Sequence, residues 1–196
     1  MRPNHERDAS DLDDVELIAR SLDEPELFAA LLTRHHTPVY RYLSRRLPVD
    51  AAEECAQETF TRAFVARSRF RPHHPSALPW LYGIATNVVR ERRREERRVL
   101  QGPRADVVAW EDADDAVERV EARELRRRLG EALAELSPVD RDIVMLAAVA
   151  ELGASEIAIA LETDARTVST RLWRSLGRLR LTLGGELLGN GRSLHG

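Results

Sequence analysis

The chain has 196 residues, of which 43% are hydrophobic and 32% charged, and its net charge is −3. This length is enough for one domain or two small ones with packed cores. The single cysteine excludes an internal disulfide, and no apolar run is long enough to span a membrane. Because the first residues are polar and acidic rather than signal-like, we expect a cytoplasmic protein.

Charge is strongly segregated along the chain. Residues 1–30 carry nine acids and three Arg, and residues 106–121 carry seven acids and one Arg, whereas residues 165–180 carry five Arg and no acid. The guanidinium group suits bidentate recognition of phosphate and guanine. These blocks predict a basic face for nucleic acid and acidic segments with another role.

In chain order, residues 1–11 are polar and predicted to be disordered. Helical spacing of apolar residues then predicts a short helix over residues 12–22 and a longer one over residues 28–46, which Pro38 is expected to kink or split. A third helix is predicted from Asp50, which forms a capping pattern with Glu53. The other face of this third helix is acidic, which is also common for a solvated helix face.

The stretch over residues 79–94 predicts an amphipathic helix whose stripe consists of Leu81, Ile84, Ala85, Val88 and Val89. Between residues 90 and 98, six Arg stand against three Glu. Such a helix can pack on a core and still present charge to phosphates. Groups on it that can contact bases are Trp80, Tyr82, Thr86 and Asn87, although the two aromatic residues are equally suited to the core.

After residue 98 the periodicity lapses, and the acidic residues 99–122 are predicted to be a flexible linker. Helical spacing returns from about Val117, with Leu125, Leu129, Leu133 and Leu136. Beyond it, Ser137, Pro138 and Asp140 predict a helix start, with an N-cap, a proline in the first turn and an acid near the positive end of the dipole.

The last part of the pattern predicts a short helix over residues 155–161, a tight turn, a helix capped by Asp164, and a flexible tail over residues 184–196. The predicted buried seam of the long helix consists of Val168, Leu172, Leu176, Leu179 and Leu183. Its predicted outer face carries Arg166, Arg171, Arg174 and Arg178. A helix-turn-helix that binds DNA fits this pattern better than an ordinary helical hairpin.

Together the motifs resemble those of the small, extracytoplasmic-function (ECF) group of bacterial RNA polymerase sigma factors. They lie, in the order of that family, at residues 50–60, 80–94, 133–144, 156–161 and 166–172. The chain departs from the family pattern at Glu91, which stands in an Asp position, and at Glu162, Arg166 and Ser169. The resemblance covers residues 12–98 and 123–183.

The resemblance implies an all-α fold with two small helical domains. The first (residues 12–98) corresponds to sigma region 2, the second (residues 123–183) to sigma region 4 with its helix-turn-helix, and the acidic linker joins them. The linker either threads a basic channel of the polymerase or is a solvated tether.

The resemblance also implies partners and site residues. The partners are core RNA polymerase (its β′ clamp helices and β flap), promoter DNA and an anti-sigma factor, with no cofactor, metal or catalytic centre.

Residues implied to bind core polymerase are Glu53, Glu54, Gln57 and Glu58. Residues implied to bind the promoter element about ten base pairs upstream of the start (the upstream-ten element) are Asn87, Arg90, Glu91, Arg93 and Arg94. Those for the element about thirty-five base pairs upstream (the upstream-thirty-five element) are Arg166, Thr167, Ser169, Thr170, Arg171 and Arg174.

Two other functions fit the sequence less well. A helix-turn-helix regulator that acts without core polymerase leaves the helix at residues 50–64 unexplained. A nucleic-acid-processing enzyme lacks paired carboxylates, a metal cluster or a phosphate-binding loop in the sequence.

Overall fold

A computed structural model describes residues 11–100 and 116–189, and over these residues the chain forms helices and no β-strand. The α-helices are α1 (Asp14–Arg20), α2 (Phe28–Ser44), α3 (Val49–Ala66), α4 (Leu78–Leu100), α5 (Ala116–Ala134), α6 (Pro138–Ala148), α7 (Ala154–Ala160) and α8 (Ala165–Gly189). The all-α fold class is confirmed. The predictions for residues 1–10, for the linker between residues 101 and 115, and for residues 190–196 lie outside the described residues.

Two local features of the first half differ from the prediction. Of the kink or split predicted at Pro38, the split is absent, since α2 is continuous on both sides of it, with the buried His35 and Val39 holding both turns against the core. Asp50 does not cap α3, since Pro48 occupies the N-cap position and the helix already begins at Val49. The Asp50 carboxylate instead lies in the first turn, near the positive end of the helix dipole.

The first half is built on mutual packing of α2, α3 and α4. Tyr42 of α2 is fully buried at its centre, and its hydroxyl lies 2.9 Å from the Thr86 hydroxyl on α4. Its ring packs edge-on against Tyr82 at a centroid distance of 5.2 Å. Thr86 and Tyr82 are therefore core residues, and the suggestion that they contact bases is wrong because both face α2.

The second half confirms both predicted caps. The Ser137 hydroxyl accepts a hydrogen bond from the Asp140 N–H at 3.2 Å, at the start of α6. The Asp164 carboxylate accepts one from the Thr167 N–H at 2.7 Å, at the start of α8. Each cap satisfies a backbone donor that has no partner within its helix. The Asp164 cap defines the start of α8 after the short turn that follows α7.

The seam of α8 differs from the prediction at one position. Val168 and Leu179 are buried, but Leu176 is 50% exposed and Ser175 is 3% exposed. At about 100° per residue, Ser175 lies within about 20° of Val168 around the helix, whereas Leu176 lies about 80° away. Angular position around the helix, rather than hydrophobicity, therefore decides which of these two side chains is buried.

Helix α5 begins at Ala116, which agrees with the return of helical spacing at about Val117, although it places residues 116–122 of the predicted linker in a helix. The Ala, Glu and Arg residues at positions 116–123 are strong helix formers. The predicted tail differs more, since α8 reaches Gly189. Leu residues lie on both sides of Gly184 and Gly185, and each Gly costs only about 1 kcal/mol of helix propensity.

The two halves are packed together. Helix α4 of the first half lies against α7 of the second, and buried side chains of both halves form one cluster. Among the described helices, none is both long and apolar enough to cross a membrane.

Candidate nucleic-acid and polymerase interfaces

The acidic side of α3 is solvent-exposed along two helical turns. Its exposed side chains are Glu53, Glu54, Gln57 and Glu58. They are held outward because Ala52, Cys55, Ala56 and Thr59, which alternate with them, are buried against the core. The structure thus brings together all four residues implied to bind core polymerase.

One of these four side chains, Glu54, ties α3 directly to α4, and Glu58 does so only through Arg62. Glu54 Oε2 accepts a hydrogen bond from Arg92 Nη1 at 2.7 Å, and Glu58 Oε1 accepts one from Arg62 Nε at 2.6 Å. Arg62 Nη1 in turn lies 2.7 Å from Glu91 Oε2. Glu91, which the resemblance implies binds the upstream-ten element, therefore faces α3 rather than the other residues of that set.

The remaining upstream-ten residues cluster near the middle of α4. Asn87 and Arg94 are exposed, while Arg90 and Arg93 are half-buried. Arg90 Nη1 donates to the Asn87 side-chain oxygen at 3.4 Å, and Arg93 Nη2 donates to the Arg46 carbonyl at 3.2 Å.

A positively charged cleft lies between α4 and the start of α6. Its volume is about 220 Å³, and it is lined by Arg90, Arg93, Arg94, Arg97, Pro138, Val139, Arg141 and Asp142. Five guanidinium groups against one carboxylate make a strongly positive surface, which suits a phosphate backbone.

Two charged residues at the centre of this junction were not predicted from the sequence. Asp142 and Arg46 are 1% and 3% exposed, and an Asp142 oxygen accepts a hydrogen bond from Arg46. The second oxygen of Asp142 accepts one from Arg90 Nε at 2.6 Å. A lone charged residue in a helix pattern is usually solvated, so neither carried a recognisable signal.

The start of α8 presents a polar and basic surface. Arg166, Ser169, Thr170, Arg171 and Arg174 are exposed and Thr167 is half-buried, so the structure brings this implied set together on one helix. Arg171 Nη1 donates to Asp140 at 2.9 Å, which anchors α8 to the start of α6. The Ser169 hydroxyl donates to the Ala165 carbonyl at 2.9 Å.

The sequence interpretation also missed apolar side chains on the outside of α8. Trp173 and Leu181 are each 77% exposed, and Leu176 is 50% exposed. Large exposed apolar groups of this kind are typical of protein contact surfaces. The signal was available in the sequence, since Trp173 lies outside the predicted seam.

Two family models match the chain. The model of sigma-70 region 2 matches residues 31–99, which include α3 and α4, and that of sigma-70 region 4 matches residues 126–179, which include the helix-turn-helix. A solved structure of CnrH in complex with the cytosolic domain of CnrY has a TM-score of 0.63 and 23% identity, covering 91% of this chain and 99% of that chain. The sigma factor RpoE of Bartonella quintana, solved with the anti-sigma factor NepR, has a TM-score of 0.56 and 22% identity, covering 83% and 97%. These likenesses establish the fold.

Curated relatives are similar over most of their length. The RNA polymerase sigma factor CarQ of Myxococcus xanthus is 31% identical over 81% of this chain and 90% of its own. The ECF RNA polymerase sigma factor SigL of Mycobacterium tuberculosis is 30% identical over 82% and 90%. The chain therefore belongs to the ECF group of RNA polymerase sigma factors.

Proposed function

We propose that this sigma factor binds core RNA polymerase through the acidic side of α3 and directs it to promoters by placing α4 and α8 on two elements of the same duplex. The observation that carries the proposal is the presence of two separate exposed Arg surfaces, on α4 and on α8, each fixed by a buried opposite face of its helix. A regulator that acts without polymerase needs only the second surface.

The α8 surface suits duplex recognition. A helix that follows a tight turn enters the major groove with its first turns, and here these turns carry Arg166, Thr167 and Thr170. Arg pairs bidentately with guanine, and hydroxyl groups contact bases or phosphates. The exposed Arg174 lies further along the helix, where a phosphate contact is expected.

The α4 surface suits the strand that opens. Extruding a base costs a few kcal/mol, which a protein must offset with contacts to the displaced base and backbone. The Arg residues of the cleft supply backbone contacts, and the exposed Asn87 amide supplies hydrogen bonds to a base edge. Stabilising the open strands in this way requires no catalytic group.

An anti-sigma factor is the expected regulatory partner. The structure of RpoE from Bartonella quintana, which shares this fold, was solved with the anti-sigma factor NepR. The exposed apolar side chains Trp173 and Leu181 supply a contact surface for a protein partner on α8.

Transcription in vitro with core polymerase tests the proposed function. The purified chain, mixed with core enzyme from its own host and a genomic fragment library, is expected to produce transcripts with defined 5′ ends. Transcripts that are the same with and without the chain contradict the proposal. Specific DNA binding by the chain alone, together with no association with core enzyme, favours the regulator instead.

A further inference from the structure

The cleft between α4 and the start of α6 is lined mainly by guanidinium groups. Four of its five Arg residues come from one face of α4, at Arg90, Arg93, Arg94 and Arg97. Their spacing keeps them within about 100° around the helix and about 10 Å along it. Arg141 contributes the fifth guanidinium group from α6. A short row of positive charges therefore faces one small volume.

The negative charge in this cleft is already neutralised by two partners. Asp142, the one acidic residue among those that line the cleft, accepts hydrogen bonds from the buried Arg46 and from Arg90. Arg94 and Arg97, in contrast, form no ion pair with any acidic side chain in residues 11–100 and 116–189. Because like charges held close together repel each other, an anion bound between them is stabilised.

The walls of the cleft are fixed by contacts within the protein. Gly83 of α4 lies so close to α7 that an added Cβ would clash with the backbone of Ala160. Arg93 Nη2 donates to the Arg46 carbonyl at 3.2 Å, and Arg141 Nε donates to a carbonyl near the end of α5 at 2.7 Å. A ligand that enters a preformed site of this kind orders few side chains on binding, which favours affinity.

The volume of the cleft limits the size of its ligand. At about 220 Å³ it lies below the roughly 300–1,000 Å³ of pockets that hold drug-sized molecules. A DNA strand, with its sugars and bases, reaches the Arg side chains at the rim, such as the exposed Arg94. The interior instead suits a short chain of phosphate groups, which is small and carries several negative charges.

The start of α6 adds two further features to the interior. Pro138 and Val139, its first two residues, line the cleft, so the positive end of the α6 dipole lies there and favours an anion. Asp140, the acid of the same turn, accepts a hydrogen bond from Arg171 at 2.9 Å and is not among the residues that line the cleft. Val139 is 42% exposed and provides an apolar wall on which the base of a nucleotide can pack.

We propose that this cleft binds a condensed phosphate chain, which is either inorganic triphosphate or the triphosphate group of a nucleotide. Arg94 and Arg97 provide the main charge contacts, and the first turn of α6 lies beside the chain. The site goes beyond the proposed function, since binding requires neither polymerase nor promoter DNA. Failure of one proposal therefore leaves the other standing.

Isothermal titration calorimetry of the full-length free protein tests the site. Inorganic triphosphate, ATP and GTP are titrated separately, and we expect one saturable site per chain. AMP, which carries a single phosphate, is expected to bind at least about tenfold more weakly, because it reaches fewer guanidinium groups. Tighter binding of ATP or GTP than of inorganic triphosphate identifies a nucleotide as the ligand, and equal or weaker binding identifies the phosphate chain alone. No saturable binding, or equal binding of AMP and ATP, overturns the proposal.

V139D places a carboxylate in the cleft without removing any Arg. An acid in the first turn of a helix is favourable, so the fold is expected to be retained. Triphosphate is expected to bind V139D at least about tenfold more weakly than wild type, because the new carboxylate competes for the same guanidinium groups. V65D makes the same charge change at a 74% exposed position of α3 and is expected to bind as wild type does. Equal losses in V139D and V65D overturn the proposal, since binding then follows net charge alone.

A pair of neighbouring Arg residues locates the ligand on α4. Arg97 lines the cleft, whereas Arg98 is outside it, with a side chain that is 79% exposed and paired with Glu95 at 3.1 Å. R97A is expected to lower the affinity for triphosphate about fivefold through loss of one partly exposed charge contact, and R98A is expected to change it little. The same loss in R97A and R98A overturns the placement of the ligand in the cleft.

Discussion

His35 Nε2 lies 2.7 Å from Asp14 Oδ2, and both side chains are buried where α1, α2 and the start of α4 meet. The same carboxylate accepts hydrogen bonds from Arg34 at 2.7 Å and from the Ala77 N–H at 2.7 Å, and the Ser76 hydroxyl donates to it at 3.2 Å. A single carboxylate of α1 thus fixes the loop that leads into the proposed DNA-contacting helix.

Replacing this carboxylate is expected to destabilise the protein. D14N keeps the size of the side chain but removes the negative charge to which Arg34 and three further groups are hydrogen-bonded. We expect the free energy of unfolding to fall by about 2–4 kcal/mol, because removing one member of a buried polar network leaves its partners unsatisfied. Urea denaturation followed by circular dichroism measures the change.

The neighbouring D13N is the control. Asp13 is the N-cap of α1, its carboxylate accepts a hydrogen bond from the Glu16 N–H at 2.7 Å, and Asn caps helices about as well as Asp. D13N is therefore expected to leave the free energy of unfolding nearly unchanged. Equal losses in D13N and D14N contradict the role given to Asp14.

The Asp14 network also predicts a pH dependence of stability. Burial alone raises the pKa of the Asp14 carboxyl, but hydrogen bonds from His35, the Ala77 N–H and Arg34 outweigh it and hold this pKa well below its usual range. A depressed folded-state pKa contributes stability above the unfolded-state value of about 3.9, and the contribution is lost as the pH falls below it. The stability difference between wild type and D14N is therefore expected to be constant near neutral pH and to shrink below about pH 4.

Cys55 is predicted to be chemically protected. Its thiol is buried between α3 and α4, and burial raises the pKa of Cys55 above its ordinary value. Iodoacetamide at pH 8 is expected to alkylate the native protein at least ten times more slowly than the urea-unfolded chain, since only the exposed thiolate reacts. V65C adds a thiol at an exposed site of the same helix and is the internal control; native alkylation of Cys55 at a comparable rate contradicts the prediction.

Periodicity and end signals were sufficient to predict most of the helical elements. The hydroxyl of Ser137 and the carboxylate of Asp164 act locally, within three residues, so their capping roles are readable from the sequence. Predictions failed where contacts between helices decide whether a side chain is buried or a helix continues. Thr86 is polar but buried because Tyr42 offers its hydroxyl a partner, and Pro38 is retained within α2 by the packing around it.

The interface between the halves could not be predicted for the same reason. Nothing near Asp142 in the sequence indicates that its partners are Arg46 and Arg90, which lie 96 and 52 residues away. Gly83 looks like an ordinary helical glycine until Ala160 is placed against it. Exposed site residues were more accessible to prediction, since an amphipathic pattern that predicts the buried face also predicts the opposite one.

Arg174 is predicted to contact a phosphate rather than a base. R174A in the holoenzyme is expected to weaken binding to promoter duplexes by a similar factor whatever their upstream-thirty-five sequence. It should also reduce the slope of log affinity against log salt by about one. R180A is the matched control, since Arg180 is exposed on the same helix about 120° away from Arg174. Fluorescence anisotropy over a salt series measures both; equal slopes for the two variants contradict the assignment.

Glu53 offers the sharpest test of the polymerase-binding face. Glu54 and Glu58 also bridge to Arg92 and Arg62, so their replacement disturbs the contact between α3 and α4 as well as any partner. Glu53 is exposed on the same face, and E53K is expected to lower the affinity for core polymerase about tenfold, or about 1.4 kcal/mol, by setting a positive charge against a basic partner surface.

E26K, at an exposed position just before α2, makes the same charge change away from this face and is expected to bind normally. The affinities are compared by titrating labelled core enzyme at two salt concentrations, because a loss caused by charge repulsion shrinks as salt rises. A loss in E53K that does not depend on salt, or one matched by E26K, contradicts docking through this side of α3.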